Sequence, residues 1–214
     1  IASIAFALAF VVILFGSIMS RGLPAFWQSA ITLDVHFDPA IIDVGPMPVR
    51  EQGEVALASV AEVDKAVAVA KEAFSTWRSS SLSKRADILF AFRQIVHSRR
   101  DEIANLVSQE HGKVPSDAAG ELARGLENIE FACGIPQMLK GSYSEQVSSG
   151  VDVYSLRQPL GVVAGITPFN FPAMIPLWKM GPALASGNAM ILKPSERVPS
   201  TSLYLAELLQ EAGL

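Results

Sequence analysis

The chain has 214 residues, 50% of them hydrophobic, enough for one sizeable core plus an appendage. Its 17 basic and 21 acidic side chains give a net charge of −4 and a pI near 5.4, which excludes the basic footprint that a nucleic-acid backbone demands. Cys133 is the only cysteine, so no internal disulfide can form and a reducing, cytoplasmic setting is expected; His36, His97 and His111 lack metal-ligand spacing, so no metal site is expected.

Residues 1–20, "IASIAFALAFVVILFGSIMS", carry no charge, and only Ser3, Gly16, Ser17 and Ser20 interrupt the apolar run. A helix of about 20 such residues spans the hydrocarbon core of a bilayer, so a transmembrane helix is predicted; a signal-peptide core or a fully buried helix are the alternatives. The following "RGLPAFWQSAITLDVHFDPAIID" has no helical period, and its Pro24, Phe26 and Trp27 suit a membrane interface. Together residues 1–43 resemble the first transmembrane helix and loop of phosphate ABC-transporter permease subunits. From about Gly45 the composition turns charged and Ala-rich, which divides the chain into a membrane-like piece, 1–44, and a soluble piece, 45–214.

In "ASVAEVDKAVAVAKEAFSTWR", Ser59 stands three residues before Glu62, the spacing of a capping box. Val63, Val67, Ala70, Phe74 and Trp77 follow at helical spacing, so a helix is predicted over 60–78. A second is predicted over 82–110, with Ile88, Leu89, Phe92, Ile95, Val96, Ile103, Leu106 and Val107 as its stripe and Gly112 of "EHGK" as its stop. A third is predicted over 116–139, with Leu122, Leu126, Ile129 and Phe131 inward. Residues 141–158 alternate polar and apolar around Ser149-Gly150 and predict a β-hairpin arm, a common oligomer contact.

"LGVVAGI" (160–166) and "NAMILK" (188–193) are short apolar runs of the kind found in parallel strands covered on both faces. Helical segments follow each of them, ending at Gly187 and Gly213. The expected fold is therefore α/β: helices, a hairpin arm, then the first βαβα unit of an incomplete Rossmann-like parallel sheet. Ligands of such sheets sit at the carboxyl ends of the strands, which places residues 167–171 and 193–197 on one crevice.

Two roles are open to Asn170 in "TPFNFP". As a helix N-cap it would satisfy a free backbone N–H. As an oxyanion donor, held stiffly by Pro168 and Pro172, its NH2 would stabilise negative charge growing on a carbonyl oxygen, worth about 3 kcal/mol of barrier. Lys193 is either a plain surface lysine or, with Glu196, a clasp for ribose hydroxyls; a carboxylate there repels a 2′-phosphate and favours NAD over NADP. No GxGxxG occurs, so these residues alone leave the cofactor open.

"GITPFNFP", "WKMGPALASGN" and "ILKPSE", with "EHGK" upstream at 110–113, resemble the aldehyde dehydrogenase superfamily, and "GELARGLENIEFACGIP" with "YSEQVSSGVDVYSLRQPLGVVAGITPFNFPAMIPLW" resembles its CoA-acylating methylmalonate-semialdehyde dehydrogenase branch. The resemblance covers about residues 50–214. It implies that Thr167 and Phe169 line the nicotinamide side of an NAD site, that Lys193, Glu196 and Arg197 lie at its adenosine end, and that Asn170 is the oxyanion donor. It implies too that Arg124, otherwise one more exposed helical arginine, binds the distal carboxylate of a small semialdehyde. The implied reaction is thiolate attack on the aldehyde, hydride transfer to NAD and release of the thioester to coenzyme A with loss of carbon dioxide, in a homo-oligomer, dimer or tetramer.

Two departures stand out. The family's nucleophilic cysteine lies in its second half, whereas Cys133 sits on an apolar helix stripe and is expected in the core. The strands that precede "GEVALAS" in the family are replaced by the membrane-like piece. Both ends, Ile1 and Leu214, are expected to be cut, and the chain to be a partial enzyme joined to foreign sequence, inactive alone. A membrane-transport component and a non-catalytic NAD-binding module are the alternatives.

Overall fold

The structure, a computed structural model, describes residues 58–214. The predicted span over 1–20, the transporter-like loop and the division at 44/45 lie outside the described residues. Among the described residues, no helix is long and apolar enough to cross a membrane.

Helix α1, Val60–Trp77, opens on the predicted capping box: the Ser59 hydroxyl accepts the Glu62 N–H at 3.4 Å while the Glu62 carboxylate accepts the Ser59 N–H. Its stripe is half-buried, lying against the sheet described below. The single helix expected over 82–110 is two, α2 (Leu82–Ser98) and α3 (Arg100–His111), broken at Arg99. The stretch "HSRRDE" (97–102) offers no apolar residue to carry one stripe through, and the break lets Phe92 and Val96 and then Ile103 and Val107 reach the same core. Gly112, at φ +88°, ends α3 as expected, its N–H donating to the Ser108 carbonyl.

The third expected helix is also divided. α4 spans Pro115–Cys133 and a single turn, α5, spans Ile135–Met138. Pro136 has no N–H with which to continue the ladder, which stops α4 there. Phe131, expected inward, is 67% exposed, while Ala132 and Cys133 take the buried positions. Cys133 packs with Leu89, Ile135 and Ala185, and burial pushes its thiol pKa up, so it is the core residue expected.

The hairpin forms as predicted from β1 (Tyr143–Ser148) and β2 (Val151–Tyr154), turning at Gly150 with φ +73°. A bulge between Ser144 and Ser148 holds Gln146 at φ 51°; the Asp152 carboxylate accepts the Gln146 N–H and the Tyr143 hydroxyl. Every residue of the arm's strands is exposed.

Strands β3 (Val162–Ile166) and β4 (Ala189–Lys193) pair in parallel, from Val162↔Ala189 to Ile166↔Lys193. α6 (Met174–Ala185) is the crossover between them, and α7 (Ser200–Glu211) follows β4. The βαβα unit is thus present, but Ala164 and Ile166 are exposed, so one face of β3 lies open among the described residues where both were expected to be covered.

α4 and α6 run parallel at close range. Glu121 meets Ala173, Gly125 faces Leu177, and Gly181 faces Ile129 and Ala132. A Cβ on Gly125 would stand 2.5 Å from Leu177 Cδ1 and 3.3 Å from the Met174 Cα. Gly125→Ala is therefore expected to cost about 1–3 kcal/mol by overpacking, read as a lower urea midpoint at unchanged m-value.

Candidate active site

Because Ile166 is level with Lys193, both strands end at one edge. Thr167, buried, continues the pairing: its N–H donates to the Lys193 carbonyl at 3.0 Å and its hydroxyl reaches the same oxygen at 3.4 Å. Beyond it, Phe169 is half-exposed with its ring between His111, stacked at 6.1 Å, and the Arg197 guanidinium at 5.2 Å. The segments 167–171 and 193–197 are thereby joined at two points.

Asn170 is exposed and is not a helix cap. α6 begins at Met174, three residues later than "FP" suggested, with Ala173 as its N-cap residue and no cap from its own side chain. The N–H groups of Ala173 and Met174 donate instead to Glu121 Oε1, at 2.7 and 3.1 Å, from fully buried Glu121 on α4. The other oxygen of Glu121 pairs with Lys113 Nζ at 2.5 Å, and Lys113 also donates to the Asn170 carbonyl at 2.9 Å. The Asn170 carbonyl is thus bonded to Lys113, and among the described residues its exposed side chain makes no hydrogen bond and caps no helix.

α7 is capped in the same manner. Glu110 accepts the Ser200 N–H at 3.1 Å and its hydroxyl at 2.6 Å. Carboxylates thus occupy both helix N-termini that follow the strands, so neither is free to receive a pyrophosphate, in keeping with the missing GxGxxG.

At the end of β4, Lys193 Nζ lies 3.2 Å from Glu196 Oε2. Glu196 occupies a turn ahead of α7, since the helix starts only at Ser200. There the Ser195 hydroxyl accepts the Arg197 N–H, ordering the turn. Its own backbone N–H, and then Lys193, hold the Glu196 carboxyl below the usual glutamate range. A depressed folded-state value means the carboxylate favours the folded turn above the ordinary glutamate pKa and loses that contribution as pH falls through the lowered value. A carbon-13 titration should find Glu196 titrating low, and Lys193→Met should raise it only part of the way, because the backbone N–H remains.

Arg124 projects from α4 beside a shallow groove of about 320 Å3 lined also by Glu127, Asn128, Phe131 and Trp178. Its backbone carbonyl accepts the Trp178 indole N–H at 3.1 Å, tying α4 to α6 one turn past the Glu121 cap. Among the described residues no ion pair engages the Arg124 guanidinium, and Asn128 Oδ1 is buried without a partner. An exposed cation flanked by Phe131 and Trp178 suits a small carboxylate with an apolar stem. Among the described residues no group of three or more His, Cys, Asp or Glu side chains could hold a metal ion.

Sequence reasoning used "EHGK" as a helix stop and missed the work of Glu110, Lys113 and Glu121. One signal was present: Glu121 falls on the buried stripe of Ala118, Leu122, Gly125 and Ile129, and a carboxylate there needs a partner.

A parallel βαβα unit thus carries an amide, an aromatic and a Lys–Glu pair along one carboxyl edge. The aldehyde dehydrogenase family model matches residues 38–214, and the chain belongs to that family. It is 53% identical over 161 residues to a malonate-semialdehyde dehydrogenase of Pseudomonas aeruginosa, a match covering 75% of this chain and 32% of that one. It is 45% identical to an acylating, mitochondrial methylmalonate-semialdehyde dehydrogenase of Arabidopsis thaliana, over 82% of this chain and 29% of the relative. Among solved structures, it resembles a Sinorhizobium meliloti protein described as a methylmalonate-semialdehyde dehydrogenase and complexed with NAD, with TM-score 0.73 and 51% identity over 75% of this chain and 33% of that one. The chain spans about a third of the length of the relatives it matches.

Proposed function

We propose that residues 45–214 are the N-terminal part of the NAD-binding domain of a CoA-acylating malonate- or methylmalonate-semialdehyde dehydrogenase, that the membrane-like piece ahead of residue 38, where the family match begins, is foreign to it, and that the whole acts in the cytoplasm. The observation that supports this reading is the shared strand edge, where the Thr167 N–H bonds the Lys193 carbonyl and Asn170 and the Lys193–Glu196 pair follow the ends of two paired strands. Lys193 and Glu196 hold the ribose hydroxyls, Arg197 lies over Phe169 at the join, and Thr167 and Phe169 line the nicotinamide side. NAD, when bound, supplies the hydride acceptor. Asn170 donates to the aldehyde oxygen as it gains negative charge, and Arg124 holds the substrate's distal carboxylate. Buried Cys133 is unsuited to be the nucleophile, so that thiolate comes from elsewhere in the complete enzyme and residues 45–214 do not turn over alone. The exposed hairpin with Val147, Val151, Val153 and Tyr154 supports assembly as a dimer or tetramer.

Isothermal titration tests the cofactor part. Lys193→Met should weaken NAD binding about tenfold or more, the worth of a charge-assisted hydrogen bond, and Glu196→Gln should narrow the preference for NAD over NADP. Unchanged affinities in both variants would remove the clasp from the account.

A further inference from the structure

The segment between β3 and α6 is gripped from one side by a buried ion pair that comes from a different part of the chain. Lys113 stands just past the end of α3 and Glu121 on α4, with side chains 8% and 0% exposed. Their atoms divide the segment between them. Lys113 Nζ donates to the Asn170 carbonyl and rests 4.8 Å above the Phe171 ring, while Glu121 Oε1 takes the N–H groups of Ala173 and Met174. With the ring constraints of Pro168 and Pro172, the backbone from 168 to 174 is fixed on both sides of Asn170, yet among the described residues no hydrogen bond is spent on the Asn170 side chain.

Such an arrangement is costly as pure scaffolding. Two charges withdrawn from water regain little net stability from each other, and an apolar pair would pack these helices at least as well. What an apolar pair lacks is a donor aimed at one named carbonyl and an acceptor aimed at two named N–H groups.

We propose that Lys113 and Glu121 are positioning residues that hold the Asn170 amide at the crevice edge. The chemical value of that placement rests on Asn170 being the oxyanion donor, but the placement itself can be measured without turnover.

Asparagine-selective nitrogen-15 labelling of the 214-residue chain gives signals from only four residues, Asn105, Asn128, Asn170 and Asn188. Asn188 reports on the fold, because its Oδ1 accepts the Leu160 and Gly161 N–H groups and its NH2 donates to the Ala183 carbonyl. The K113M/E121Q variant removes both charges and strands neither. In it the order parameter of the Asn170 backbone N–H should fall from about 0.85 to below about 0.6 while that of Asn188 holds. Lys113→Arg, which keeps a cation and several donors, should restore the rigid Asn170 signal. An Asn170 signal as rigid in K113M/E121Q as in the parent would overturn the proposal. So would loss of Asn188 together with Asn170 in both K113M/E121Q and the single Glu121→Gln, for the pair would then hold the whole domain and not the loop. A rigid-to-mobile change in Asn170 beside an Asn170→Ala enzyme of full activity would leave the positioning intact and refute the donor role alone.

Discussion

Asn170→Ala is expected to lower kcat by about 10²–10³-fold, the roughly 3–4 kcal/mol that one preorganised oxyanion donor supplies, with NAD affinity nearly unchanged. The measurement requires a complete enzyme, and a chimaera in which residues 45–214 replace the matching third of the Pseudomonas aeruginosa relative provides one. The expectation follows from what the side chain does not do. Asn170 caps no helix, since Glu121 has taken the N–H groups at the start of α6, and its main-chain carbonyl is already bonded to Lys113. Truncation therefore removes a donor without loosening the segment, and the melting temperature should hold. A lowered melting temperature with kcat intact would return Asn170 to a structural role.

The second large effect concerns stability. Glu121→Leu removes the partner of a Lys113 ammonium that is only 8% exposed and frees two helix N–H groups at once, so a loss of about 3–5 kcal/mol is expected in urea unfolding. K113M/E121L should recover part of that loss, because it leaves no stranded charge. A double variant worse than Glu121→Leu alone would mean that Lys113 is anchored independently, through Asn170 and Phe171, and that the pair is not one unit.

Much of this architecture was legible in the sequence because it is local. The Ser59–Glu62 box, the Gly112 stop, the Gly150 turn and the two apolar strands each depend on neighbours a few residues away, and each formed. The helix breaks at Arg99 and at Gly134 were missed because apolar periodicity reads straight through a turn that only re-aims the stripe, and Phe131 was assigned inward for the same reason. At the site, the strand edge and the Lys193–Glu196 pair lie within one βαβα unit and could be inferred. Whether Asn170 caps a helix could not, because that is decided by Glu121, which lies far away in sequence on another helix. Long-range caps of this type leave no spacing signature; what they leave is a carboxylate misplaced in a buried stripe.

An NAD-dependent, CoA-acylating oxidation of a small semialdehyde is the activity proposed for this strand edge in the complete enzyme. Product analysis of the chimaera with malonate semialdehyde, NAD and coenzyme A tests it most directly. Acetyl-CoA, carbon dioxide and NADH are expected in equal amounts, since the aldehyde carbon loses its hydride, its acyl group passes to the CoA thiol and the distal carboxylate departs as carbon dioxide. A folded, NAD-binding chimaera that releases free malonate regardless of coenzyme A, or forms no NADH at all, would contradict it.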